Sequence, residues 1–80
     1  MKIYDYNGRK NISGERIKDA RLLNRMTQAD LSARMQIRGI AIERDSISRI
    51  EAGTRFVADY ELLVFSEVLG VTVGYLLGIE

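Results

Sequence analysis

Eighty residues, 46% of them apolar, carry a net charge of +1 and include neither Cys nor His. One domain with a single core fits that length; the missing Cys and His remove thiol chemistry, the commonest zinc ligands and the commonest general base, and the remaining carboxylates and isolated serines show no pairing that supports an enzyme, a metal, a cofactor or a small-molecule ligand. No run approaches the ~18 apolar residues of a membrane span, and Asp5, Asn7 and Arg9 interrupt the apolar stretch that a signal peptide needs after Lys2, so a soluble, cytoplasmic protein with no membrane partner is expected.

Residues 1–12 read as an N-terminal arm ahead of a helical domain over 13–80. Ile3-Tyr4-Asp5-Tyr6 followed by Asn7-Gly8 has the pattern of extended chain running into a turn. It is either a β-like arm or a frayed end, because termini are loose unless tied down. Five helices follow, separated by glycines and polar clusters in a chain without proline. The first spans about 14–25, with Ser13 as N-cap, Ile17, Ala20 and Asn24 inward, and Leu22 and Leu23 flanking them. Arg16 stands where a capping box would place Glu or Gln. The second starts at Thr27, whose hydroxyl suits the amide of Asp30, and stops near Gln36; Leu31 and Met35 face inward, and Ala29 and Ala33 are small enough for close packing.

Ile37-Arg38-Gly39-Ile40-Ala41-Ile42 alternates after a glycine and reads as an extended loop that tucks its isoleucines inward. The third helix spans about 44–52, with Ile47 and Ile50 toward the core, Ser46, Ser48 and Arg49 outward, and Gly53 as C-cap. The fourth, over 59–69, has Asp59 as N-cap, Gly70 at its end, and Leu62, Phe65, Ser66 and Leu69 inside. A short fifth helix, over 72–77, is capped by Thr72 and stopped by Gly78.

A helix-turn-helix works because one helix braces a second, whose polar outer face fits a groove wide enough to admit it. Thr27-Gln28-Ala29-Asp30-Leu31 followed by Ser46-Ile47-Ser48-Arg49-Ile50-Glu51-Ala52-Gly53 meets those demands. Together with Gly14-Glu15-Arg16-Ile17-Lys18, Met26 before Thr27, Leu69-Gly70-Val71-Thr72-Val73 and Tyr75-Leu76-Leu77-Gly78, these words resemble, over residues 14–78, the Cro/lambda-repressor-type helix-turn-helix family, also called the XRE family. The resemblance implies an all-α, compact five-helix lambda-repressor-like bundle. It also implies a sequence-specific transcriptional regulator, a repressor, that reads the major groove of double-stranded DNA with helix 3 as a homodimer on a palindromic operator.

Roles follow from the resemblance position by position. Gln28 matches the phosphate-touching residue at the start of the bracing helix. Arg44, Asp45, Ser48 and Arg49 match positions that reach base edges, and Thr54 and Arg55 match positions that grip phosphate. Arg21 and Glu51 match an inward ion pair between helices 1 and 3. The chemistry agrees, since Arg pairs bidentately with guanine and Ser is sequence-tolerant, while Asp45 either accepts from cytosine or orients Arg44. One departure is the stretch 35–47, about five residues longer than the usual tight turn. Some relatives carry a similar Gln-x-Arg-Gly-Ile insertion; it leaves open where helix 3 begins, and hence the placement of Glu43, Arg44 and Asp45. Arg38 in that loop is either a phosphate contact or a solvated surface residue.

All twelve bases precede Phe56 against seven acids, leaving +5 there, whereas four acids and no base from Phe56 onward leave −4. A near-neutral total argues weakly against nucleic acid; the asymmetry fits one end turned toward phosphate, or an ordinary solvated surface. Tyr60, Val64 and Val68 lie one turn apart on the side of helix 4 away from its expected core face. With Val73 and Tyr75 they make a candidate dimer interface, or a surface covered by the N-terminal arm. Tyr4 and Tyr6, beside Lys2, Arg9 and Lys10, form a minor candidate for DNA contact. Asp30, Glu43, Asp45 and Glu51 do not read as a metal cluster, because two are helix-start acids and one is paired. The rival class is a protein-interaction adaptor of the same fold that does not bind DNA, antitoxin-like or coactivator-like, which the acidic tail and apolar stripe fit.

Overall fold

Capping groups and glycine stops cut the chain into α1 Gly14–Leu23, α2 Gln28–Ile37, α3 Arg44–Ala52, α4 Asp59–Leu69 and α5 Val73–Leu77 in a computed structural model that describes residues 5–80. Ile3 and Tyr4 of the expected extended run, and Lys2 beside it, lie outside the described residues. Among the described residues there is no strand, only a bridge between Tyr6 and Arg9. The architecture is an all-α five-helix bundle measuring 37 × 27 × 20 Å.

The start of α2 has the expected chemistry in full. Thr27 Oγ1 accepts from the amide of Asp30 at 3.0 Å, and Asp30 Oδ2 accepts from the amide of Thr27 at 2.9 Å. Hydrogen bonding from Thr27, its backbone amide first, holds the Asp30 carboxyl below its ordinary pKa. The α1 start differs from expectation. Ser13 makes no side-chain cap, and the amide of Gly14 is instead taken by Asn11 Oδ1 at 2.8 Å. The end of α1 also comes early, because Asn24 turns its amide onto the carbonyls of Ala20 at 2.8 Å and Leu69 at 3.1 Å, and Arg25 takes a left-handed φ of 56°. Asn24 is therefore exposed rather than core-facing, and Leu22 and Leu23 are exposed with it. At α4 the cap residue is Ala58 rather than Asp59, and Glu61 accepts from its amide at 2.9 Å.

Ile17, Ala20, Leu31, Met35, Ile47, Ile50, Phe65, Leu69 and Leu76 fill the core. Burying each of the larger ones is worth about 1.5–3 kcal/mol. Ile42 from the long α2–α3 loop joins them, fully buried, and Ile40 packs alongside, whereas Ile37, expected to tuck inward with them, is the last residue of α2 and exposed. The loop is held by Ser32 Oγ, which donates to the Ile42 carbonyl at 2.7 Å, and by Gln36 Nε2, which reaches the same oxygen at 3.2 Å. The extra residues thus extend the core and let α3 begin at Arg44.

α3 packs against α1 and α2, α4 against α1 and α2, and α5 against α1 and α4. The apolar side of α4 is consequently wider than the sequence spacing indicates. Val64, Val68 and Tyr75 are half-buried against the core and Val73 is half-buried, which corrects the expected exposed stripe. Tyr60 and Leu63 are the exposed apolar side chains of α4.

Candidate nucleic-acid interface

Helix α3 buries Ile47, Ile50 and Glu51 and leaves Arg44, Asp45, Ser48 and Arg49 exposed. Asp45, Ser48 and Arg49 line one open depression on that outer face. Arg44 Nη1 lies 3.4 Å from Asp45 Oδ1, with both side chains more than half exposed. Solvent screens such a pair, so it is worth at most about 1 kcal/mol and leaves Arg44 free to exchange partners. The Arg49 side chain has no ion pair or hydrogen bond among the described residues. These four are the positions expected to reach base edges, and they share one uncovered surface.

The inner side of α3 is fixed by a buried polar cluster. Arg21 Nε donates to Glu51 Oε2 at 2.7 Å and Arg21 Nη2 to Glu51 Oε1 at 3.0 Å, while Arg21 Nη1 reaches the Met26 carbonyl at 2.8 Å. Side-chain exposures of 8% and 4% place this bidentate pair out of solvent, where losing either partner strands a charge. Hydrogen bonding to Glu51 raises the Arg21 pKa against the opposing effect of burial. Gln28, at the first residue of α2, adds its Nε2 to Glu51 Oε1 at 3.1 Å. The cluster therefore couples α1, α2 and α3 at one carboxylate.

The expected phosphate-contacting residues do not form one set. Gln28, Thr54 and Arg55 flank α3, whereas Arg38 stands at the far end of α2 from Gln28 and pairs with Glu67 of α4 at 3.4 Å. Thr54 is exposed, with its hydroxyl donating to the Arg49 carbonyl at 3.3 Å. Arg55 is bidentate on Glu61, at 3.1 Å for both nitrogens, and donates to the Phe56 carbonyl at 2.8 Å. Burial alone would push the Glu61 carboxyl up; the Arg55 guanidinium and the Ala58 amide outweigh it and hold the group below its ordinary pKa.

A further part of this surface escapes sequence reasoning. Tyr6 and Arg9 close a tight turn, with Tyr6 N donating to Arg9 O at 2.7 Å and Arg9 N to Tyr6 O at 3.0 Å. Asn7 and Gly8 supply its two positive φ angles. The turn leads into the end of α3, where the Lys10 amide donates to the Gly53 carbonyl at 2.8 Å and Arg9 Nη2 reaches the Glu51 carbonyl at 3.4 Å. The described part of the arm is thus tied down at the end of α3. Asn7-Gly8 signals the turn, but nothing local signals a partner more than forty residues away. Among the described residues no three acids gather as a metal site, and no helix is long and apolar enough to cross a membrane.

Comparison with protein families, with curated proteins and with solved structures gives no match for this chain.

Proposed function

We propose that this protein is a sequence-specific DNA-binding transcriptional regulator, a repressor, which inserts the outer face of α3 into the major groove. The observation that carries the reading is the combination on α3 of an uncovered Arg44, Asp45, Ser48 and Arg49 with a back pinned by Ile47, Ile50 and the buried Arg21–Glu51 pair. A short rigid helix with arginines free to move and a bare polar side suits base edges. Gln28 and Thr54 border it; Gln28 Nε2 keeps a second N–H beyond the one given to Glu51, and Thr54 reaches phosphate by turning its hydroxyl away from the Arg49 carbonyl.

A two-fold dimer accompanies this reading on geometric grounds, since one such helix covers few base pairs and pairing on a palindrome doubles the contacts at one-turn spacing. The half-buried state of Val64 and Val68 leaves the dimer contact less apolar than the sequence spacing alone indicates. Selection of duplexes from a random pool tests the reading. The expected result is an enriched, two-fold symmetric site; a pool that stays random while the protein remains folded favours the adaptor of the same fold.

A further inference from the structure

We infer that Asn11 is a positioning residue for the DNA-backbone contacts, holding the loop after α3 in register with the reading face; this rests on the DNA-binding reading above. Its amide joins three separate pieces of chain. Nδ2 donates to the Ile50 carbonyl in the last turn of α3 at 2.9 Å and to the Arg55 carbonyl at 2.8 Å, while Oδ1 accepts from the Gly14 amide at 2.8 Å. Two donors and one acceptor in a single plane are what this junction uses, and among side chains of that length only Asn provides them. The backbones meet closely at this junction, since a methyl on Gly14 would overlap the Ile50 carbonyl.

The consequence lies in the loop. Residues 53–58 have no helical ladder, and Thr54 and Arg55, whose guanidinium keeps N–H donors beyond those it gives to Glu61 and Phe56, are the residues there that face phosphate in the proposed complex. Thr54 is tied to α3 by its own amide, which donates to the Arg49 carbonyl at 2.9 Å. Asn11 ties down the next residue, so the pair is fixed from both sides. Arg49 lies within α3, whose inner face is fixed by Ile47, Ile50 and Glu51. Asn11 therefore governs backbone grip and not base choice, although it touches no nucleic acid itself.

The test uses the whole chain as wild type, Asn11→Ala and Asn11→Asp, at a temperature where all three are folded by circular dichroism. At neutral pH a carboxylate at this position faces two carbonyl oxygens and loses both donors; protonation restores one donor. Expected for both variants is about ten-fold weaker binding to selected and random duplexes alike, with a salt slope reduced by about one. The ratio between selected and random duplex stays at the wild-type value, and amide exchange at Thr54 speeds up while Leu31 is unchanged. For Asn11→Asp alone, acidification narrows the gap to wild type measured at the same pH. A merely structural residue would lower thermal stability and leave the salt slope of the folded protein untouched. The inference is overturned if folded variants keep wild-type affinity and slope, or if base preference falls together with affinity. Should the wild type bind no duplex at all, the DNA-binding reading fails, and with it this role in DNA contact; unchanged Thr54 exchange would then dispose of the clamp as well.

Discussion

Arg21, Glu51 and Arg49 carry opposite kinds of cost. Glu51 accepts hydrogen bonds from Arg21 and Gln28 out of solvent, so Glu51→Ala leaves a guanidinium buried without its partner. The expected loss is about 3–5 kcal/mol in urea unfolding, and a loss under 1 kcal/mol would mean that water reaches the pair. Arg49→Ala removes a side chain with no partner among the described residues, so stability should move by no more than about 0.5 kcal/mol. On a selected duplex the same substitution should weaken binding by about 1–3 kcal/mol and relax base preference, read by competition against single-base variants. Of these residues the outer positions of α3 were legible from spacing, and the Arg21–Glu51 pair from the resemblance alone. The inward turn of Gln28 onto Glu51 was not, because a glutamine at a helix start serves a carboxylate or a phosphate equally well by sequence.

At the scale of elements, the α4 start makes stability depend on pH. Glu61 has a folded pKa below its ordinary 4.5. Between the two values the unfolded chain binds more protons than the folded one, so stability rises with pH through that window. The contribution is complete above about 4.5 and is lost as pH falls through the lower, folded value; Asp30, lowered by Thr27, acts in the same sense. Glu61→Gln should therefore lower the melting temperature at pH 7 and flatten its decline below pH about 4.5, as followed by circular dichroism. A variant with the wild-type slope would exclude Glu61 as a source. Helix existence and most boundaries were legible from period, caps and glycines, including α3 from Arg44 despite the long loop. The errors have a common cause. Ser13 holds the N-cap position of α1 but leaves the capping bond to Asn11, which is fixed there by the Ile50 and Arg55 carbonyls; α1 stops when Asn24 bonds Leu69, and Val64 and Val68 are half-covered by the packed core. Each depends on a partner distant in sequence, which propensity and periodicity do not contain.

For the whole molecule, the charge asymmetry read from sequence becomes a division of labour. Several bases are already engaged, Arg38 by Glu67, Arg55 by Glu61 and Arg9 by Glu15. The cations without an ion pair among the described residues are Arg16 and Lys18 on α1, Arg25 after it, Arg34 on α2 and Arg49 on α3, and of these Arg49 alone lies on the proposed reading face. The core and the bracing cluster are spent on keeping that one helix rigid; gene regulation itself is proposed from the α3 surface, and nothing in composition alone pointed to it. The most direct measurement is fluorescence anisotropy of a labelled duplex titrated with the protein across a salt series. Binding at low salt that weakens steeply is expected, with a log-log slope near that for about half a dozen phosphates per monomer. Absence of binding at the lowest salt, by protein that is folded, would contradict the DNA-binding reading.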